Sequence, residues 1–425
     1  METQPYPLQV IIIGGSLSGL MCGIALKRAG HHVTIFEKDQ NMRQSEMAGI
    51  AFGPDMRRFL NNHDCHTREF SHHISQIQSL NSTGSKSVLS REQRDITSWD
   101  DLNYRLRSCF DGFSSAYYPE APSSPPTNGR ALFEACQQVI DLERKDPHKM
   151  RLTVMDLASG NTRTAEADLV IGADGPNSFV RNKYLPHVQR CYVGYVVWRG
   201  TVPERELLAS TLAEFNDSLT ICPSHQQYCV IYIIPGENGS LVPGERSVNF
   251  AWYTNHSEAD LDHIMRDSVD GHIHANMVPS GHVRETVWEE QLKRAESAHF
   301  SLACLEVMGK VEKPAIQVVS EYSSPRAAFE DGMVLLVGDA LCLCRPHTAI
   351  GVGQAGFDAL AVGDMVAGRA SLCQWESRVL RYARLFSWQS VWWGMWYQDS
   401  VLRALPFALR YWSLCVVEGL RSLWD

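Results

Sequence analysis

Hydrophobic positions near the N-terminus change spacing within a short stretch. Val10, Ile11, Ile12 and Ile13 form an unbroken β-branched run that stops at Gly14 and Gly15, the pattern of a strand covered on both faces. Leu17, Leu20, Met21, Ile24 and Ala25 then recur at helical spacing, Lys27 and Arg28 fall in the last turn, and Gly30 supplies the stop. His32 to Phe36 reads as a second strand. Leu8 to Glu37 thus spans about the 30 residues of one strand, crossover helix and parallel strand.

The same alternation of buried run and glycine recurs downstream. Met333 to Val337 predicts a strand running into Gly338-Asp339-Ala340. Behind the Arg345-Pro346-His347 loop, Gly351, Gly353 and Gly356 lead into an apolar stretch through Leu360 and Val362 that reads as a helix. Ala167 to Arg181 predicts a strand broken at Ala173-Asp174-Gly175. In between, Tyr228 to Ile234 and Val248 to Tyr253 alternate as sheet strands do. Thr67 to Arg94 is polar, rich in Ser and His and without steady period, which predicts a surface excursion. Pro119 to Pro126 predicts an extended loop, with Arg130 to Phe133 opening a helix.

Composition narrows the class. A chain of 425 residues with 44% apolar content can bury two cores, and a net charge of -9 without a basic run gives no footprint for nucleic acid. The polar start Met1 to Gln9 does not read as a signal peptide, so a cytoplasmic protein is expected. The 12 cysteines lack paired spacing and are expected to be mostly buried thiols. Cys342, Cys344 and His347 lack the partner cluster of a closed zinc site, so no metal is expected. Trp388, Trp392, Trp393, Trp396, Trp412 and Trp424 crowd the C-terminus, where Asp399, Arg403 and Arg410 interrupt any span long enough to cross a membrane. That pattern suits contact with a membrane surface, with the domain itself or with a second subunit, so the chain is expected to be a monomer or homodimer.

The chemistry lies in the glycine-rich turns. Gly14-Gly15-Ser16-Leu17-Ser18-Gly19 is a GxGxxG pattern with Ser16 at the middle glycine, between strand and helix, where peptide N–H groups can receive a pyrophosphate. Glu37, ending the second strand, suits ribose hydroxyls and disfavours a 2′-phosphate, which points to FAD or NAD. The helix start behind Gly351 and Gly353 can face an anionic reduced flavin, with Asp339 taking ribityl or ribose hydroxyls.

At these three segments the sequence resembles the FAD-dependent group A aromatic hydroxylases, the para-hydroxybenzoate hydroxylase superfamily, whose fingerprints are GxGxxG, a DG motif and a GD motif. It is similar in particular to the 2,6-dihydroxypyridine 3-monooxygenase-like branch. That likeness rests on Gly49-Ile50-Ala51 with Pro54-Asp55, Thr97-Ser98-Trp99-Asp100-Asp101-Leu102, Gly194-Tyr195-Val196-Val197-Trp198-Arg199-Gly200, Tyr232 to Gly236, Val248 to Tyr253, and Gly338-Asp339-Ala340 with Arg345-Pro346-His347. The chain departs from the wider family where an HRxxL arginine would contact FAD, and at Gly353-Gln354 in place of a glycine and asparagine.

The resemblance implies an α/β fold, with a Rossmann-like FAD-binding domain interwoven with a β-sheet substrate domain and followed by a C-terminal helical extension. The domain ranges expected are 1–185 with loops 67–94 and 119–126, then 186–325 for the substrate domain, 326–372 for the second part of the FAD domain, and 373–425. It implies FAD held by Gly14, Ser16, Leu17, Gly19, Glu37, Asp174 and Asp339, with Gly351, Val352 and Gly353 against the flavin ring. NADH or NADPH would be a transient co-substrate, and O₂ would hydroxylate a small aromatic or heteroaromatic molecule through a flavin hydroperoxide. Trp198, Tyr232, Tyr253 and His347 are the candidates to line the substrate, with His347 and Arg199 as candidate catalytic groups. The alternatives are an epoxidase of an indole or terpenoid skeleton, a reductase or dehydrogenase that does not oxygenate, and a flavin-binding protein without turnover.

Overall fold

The computed structural model describes residues 7–40 and 48–421. Trp424 and Met1 to Tyr6 lie outside them. One sheet has the strand order Ala328–Phe329, Val334–Leu336, Leu169–Gly172, Gln9–Ile13, His32–Phe36, Ala131–Glu134. All neighbours are parallel except the first pair. The register sets Ile13 beside both Phe36 and Gly172, and Gly172 beside Leu336. The glycine loop, Glu37, the Asp174 turn and the Gly338 turn therefore all leave the same carboxyl edge, where open α/β sheets bind ligands. Val10, Ile12, Ile35, Val170, Ile171 and Leu335 are buried in one core with residues of the helices Leu17–Arg28 and Gly351–Val366. Side chains of the strands Gln137–Asp146 and Lys149–Asp156 join the same core.

The second sheet runs Met277–Val278, Ala315–Ser323, Cys191–Pro203, Ser247–Asn255, Gln227–Ile234, Ser218–Ser224, Gln76–Leu80, Lys86–Ser90. Side chains alternate across it with period two. Val196, Trp198, Ile231, Phe250 and Trp252 pack into one core with Trp288 and Val307 of the helices Glu285–Ser297 and Leu302–Gly309. Tyr195, Val197, Tyr228 and Tyr253 form a separate cluster from the alternate positions.

Two local readings are corrected. Ala131–Glu134 is a strand, not the opening of a helix, because it pairs with Val33 to Phe36 at the sheet edge and that pairing overrides the local preference of Ala-Leu-Phe. The Thr67 to Arg94 segment is not an irregular excursion: Gln76–Leu80 pairs in parallel with Ser218 to Ile221 and extends the second sheet. Its polar sequence hid this because Lys86–Ser90, the end strand, is almost wholly exposed.

The C-terminus folds into helices Leu372–Gln398, opened by a Ser371–Gln374 capping box, and Val401–Arg421. Two of the C-terminal tryptophans pack between them: Trp388 lies 6.0 Å from Phe407, Trp392 6.0 Å from Tyr411, and the Arg410 guanidinium covers Trp388 at 3.9 Å. The outer face of the last helix stays apolar, with Leu402 79%, Leu409 70%, Trp412 56% and Val416 62% exposed.

Candidate active site

The first turn is shaped by what its glycines allow. Gly14 has φ +102°, and a Cβ there would lie 2.3 Å from the Ala173 carbonyl; one on Gly19 would lie 2.0 Å from the Gly14 carbonyl. Strand, turn and helix therefore approach closer than any side chain permits. Ser16 is the N-cap of the Leu17–Arg28 helix and makes no side-chain cap hydrogen bond, and the first turn holds no acidic residue. No acidic side chain of that first turn competes for its peptide dipoles. Glu37 fixes the turn, accepting from the Gly15 N–H at 2.6 Å and the Asp39 N–H at 2.9 Å.

The other two turns are joined to each other. Asp174 accepts from the Val180 N–H at 3.2 Å while its other oxygen is buried without a partner, and burial pushes its carboxyl above the ordinary range. Arg181, also buried, donates to the Tyr322 hydroxyl at 2.6 Å and the Pro176 carbonyl at 2.8 Å. Tyr322 in turn donates to the Asp339 carbonyl. Burial pushes the Asp339 carboxyl up to about 6, partly opposed by Arg190. Asp358, from the Gly351–Val366 helix, accepts from the Gly338 N–H at 2.8 Å, has one orphaned oxygen, and is pushed up to about 7 by burial. Gln354 donates to the Gly338 carbonyl at 2.9 Å, so the residue that departs from the family pattern braces the turn. Arg181 and Asp358 escaped sequence reasoning, since neither lies in the three-residue motif it supports.

Gly351 starts its helix without a side-chain cap, and a Cβ there would meet nothing within 4 Å. Open space before uncapped N–H groups, close-packed glycines at a second helix start, and orphaned buried carboxylate oxygens fit a dinucleotide carrying a ring that gains negative charge. FAD is such a group. Gly14, Ser16, Leu17 and Gly19 would hold its pyrophosphate, Glu37 and Asp339 its hydroxyls, and Gly351, Val352 and Gly353 its ring.

On the face opposite the Trp198 core, the second sheet presents Arg199, Gln317, Asn249, Tyr232 and Tyr253. Arg199 donates to Gln317 at 3.2 Å and draws both the Tyr232 and Tyr253 phenols down, against a larger upward push from burial. Arg199, Asn249, Thr201 and Ala48 line a cavity of about 300 Å³ together with Lys310, Lys313, Glu206 and Glu312. Trp198 is corrected as a lining residue. It is 1% exposed on the opposite face, donating to Thr254 at 2.8 Å and lying 5.9 Å from Trp288. Neighbours on a strand point to opposite faces, so Trp198 and Arg199 cannot line the same pocket.

His347 is sealed. One ring nitrogen lies 2.5 Å from the Tyr195 hydroxyl, the other meets the Tyr228 hydroxyl, and a Cβ on Gly394 would touch its ring at 2.9 Å. Burial, with Arg345 adding to it, pushes the imidazole down to about 3, so it is neutral. Tyr228 stacks on Tyr253 at 4.7 Å. Arg345 is held by two hydrogen bonds to Glu321 at 2.7 and 2.9 Å.

Comparison with known proteins agrees with this layout. Residues 192–321 match the family described as FAD binding domain-like, and residues 12–42 match an NAD(P)-binding Rossmann-like domain. The chain is 27% identical to 2,6-dihydroxypyridine 3-monooxygenase of Paenarthrobacter nicotinovorans over 90% of its own length and 89% of that protein. It is 24% identical to 6-hydroxynicotinate 3-monooxygenase of Pseudomonas fluorescens over 82% of this chain and 79% of that one. The solved structure of 2,6-dihydroxypyridine-3-hydroxylase from Arthrobacter nicotinovorans superposes with a TM-score of 0.75 at 25% identity, covering 90% of this chain and 91% of that one. In motifs, fold and likeness the chain is an FAD-dependent monooxygenase similar to those of group A, the para-hydroxybenzoate hydroxylase superfamily.

Proposed function

We propose that this enzyme uses NADH or NADPH and O₂ to hydroxylate a small, electron-rich heteroaromatic substrate carrying an acidic hydroxyl or carboxyl group. The observation that carries the reading is the Arg199 cavity, cut into the polar face of the second sheet beside strand Gly49–Phe52, whose first residue abuts the Tyr232 ring. The relatives named above act on a dihydroxypyridine and a hydroxynicotinate, which are acidic heteroaromatics of a size the cavity admits.

Bound FAD supplies hydride acceptance and the activation of O₂. The protein's own residues bind, orient and exclude water. Arg199 offers its remaining N–H donors to an anionic substituent and Asn249 adds amide donors, while Tyr232 and Tyr253 pack elsewhere on the same face and do not line the cavity. Binding the anionic form of a hydroxylated ring keeps its carbon nucleophilic without a side-chain base, which agrees with a His347 that is neutral and engaged at both nitrogens.

We assign residues 1–185 and 326–372 to the FAD domain, 186–325 with the Gln76–Ser90 strands to the substrate domain, and 373–425 to a closing extension. The apolar outer stripe of the last helix, with Arg403 and Arg410 exposed beside it, supports a membrane-surface contact. Among the described residues no helix is long and apolar enough to cross a membrane. The test is NADH and NADPH oxidation by FAD-loaded protein against a panel of hydroxypyridines, hydroxynicotinates, phenols, indoles and terpenoids. Stimulation by the acidic heteroaromatics supports the reading; stimulation only by neutral indoles or terpenoids overturns it.

A further inference from the structure

At the far end of the Leu17–Arg28 helix, about 18 Å from the glycine turn by the helix rise, lies a second cavity of about 570 Å³. Lys27, Arg28, Cys65, Ser108 and Cys109 line it. Cys65 is exposed on the loop after the Pro54–His63 helix, and the Arg28 guanidinium lies 3.8 Å from its sulfur. Cys109, from the helix Trp99–Asp111, is 5% exposed, lines the same cavity, and donates its thiol at 3.7 Å to Asp64, the residue next to Cys65. Lys27 is held below them by donating to the Cys109 carbonyl at 3.2 Å and the Phe110 carbonyl at 2.7 Å. The Ser108 hydroxyl is buried and has no protein partner.

The surroundings split the two sulfurs into unequal roles. The neighbouring Cys109 thiol pulls the Cys65 thiol down to about 6, against burial, with Arg28 and Lys27 adding to the pull and Asp64 opposing it. The Cys65 side and burial push Cys109 up. Asp64 is itself largely neutralised by Arg105 at 2.8 Å and touches the Cys109 sulfur at 3.7 Å. An accessible thiolate beside a cation, with a second thiol in the same cavity, is the arrangement of an attacking and a resolving cysteine.

We propose that Cys65 and Cys109 form a peroxide-reactive dithiol, a modification site at the base of the first helix and separate from the flavin edge. The Cys65 thiolate attacks one oxygen of hydrogen peroxide; the O–O bond breaks, leaving Cys65 as a sulfenic acid and releasing hydroxide. Cys109 gives up its proton and attacks that sulfur, the S–S bond forms, and the S–O bond breaks to release water. Two thiols lose two electrons and two protons, and one peroxide becomes two waters. Hydrogen peroxide is what two-electron reduction of O₂ yields when no oxygen atom reaches a substrate. The disulfide ties the loop after one helix to the end of another across the base of the helix that begins at the glycine turn.

The test treats FAD-loaded full-length protein with hydrogen peroxide, quenches with an alkylating agent and maps the peptides. The expected result is a Cys65–Cys109 cross-link formed about ten-fold faster than oxidation of Cys191 or Cys373, which are exposed elsewhere. Cys109→Ser should stop at a Cys65 sulfenic acid trapped by dimedone, and Arg28→Gln should slow oxidation of Cys65 with unchanged NAD(P)H oxidation. Recovery of Cys65 and Cys109 as separate alkylated thiols, or oxidation of Cys191 and Cys373 as fast as Cys65, would overturn the proposal.

Discussion

Arg181 donates a 2.6 Å hydrogen bond to the hydroxyl of Tyr322, 141 positions away. Through it the turn after strand Leu169–Gly172 is joined to the turn after Val334–Leu336, because the same hydroxyl donates to the Asp339 carbonyl. Two fingerprints distant in sequence are thereby held as one unit. Arg181→Met leaves Tyr322 and the Pro176 carbonyl short of a donor, a cost of about 1–3 kcal/mol per buried group. The variant is expected to lose FAD affinity by roughly ten-fold or more, read by flavin fluorescence titration, and to lose thermal stability even without FAD.

Two glycine substitutions should behave differently. Gly14→Ala forces a methyl against the Ala173 carbonyl at positive φ, which costs about 1–3 kcal/mol in strain alone. It should yield protein that purifies colourless. Gly351→Ala meets open space, so the apoprotein should keep its melting temperature while flavin binding or reduction changes.

Across the substrate sheet, Arg199→Met is expected to raise KM for an acidic heteroaromatic substrate by roughly ten- to a hundred-fold, an interaction of about 1.5–3 kcal/mol for a hydrogen bond to a charged group. Trp198→Phe, one position away, should lower the melting temperature through loss of its bond to Thr254 and leave KM nearly unchanged. Steady-state kinetics with melting curves on both variants separates the two faces.

The protonation of His347 makes stability depend on pH in a defined direction. Its folded value of about 3 lies below the ordinary 6.5, so between those values the unfolded chain binds a proton that the folded one does not. Stability from this site is full above about 6.5 and falls as pH drops toward 3, by up to about 1.4 kcal/mol per pH unit. His347→Gln should flatten the urea-unfolding profile between pH 6.5 and 4. It should not remove a limb of the kcat/KM profile near pH 7.

If the last helix rests on lipid, Leu402→Ser with Leu409→Ser should abolish co-sedimentation with vesicles containing anionic lipid while turnover of a soluble substrate persists. Unchanged co-sedimentation would remove that role from the stripe.

The dinucleotide unit was legible because each local signal agreed: a β-branched run, glycines, helical spacing and an acid at the end of the next strand. The Gly338 turn was legible for the same reason. What the sequence concealed depends on tertiary partners. Ala131–Glu134 became a strand only through its neighbour Val33 to Phe36, and Gln76–Leu80 only by joining Ser218–Ser224. In the substrate sheet, alternation predicted that one face would be chosen, yet Trp198 and Arg199 were both drawn to it; the side that helices cover cannot be read from the strand. The enclosure of His347 by Tyr195, Tyr228 and Gly394 likewise unites four separate segments.

The most direct measurement is mass spectrometry of the product formed under ¹⁸O₂ by FAD-loaded enzyme, NADH or NADPH and the heteroaromatic that best stimulates oxidation. A hydroxylating enzyme places a single ¹⁸O atom in the substrate for each nicotinamide oxidised. Nicotinamide oxidation with all of the ¹⁸O recovered in peroxide and water, and none in the substrate, would contradict it.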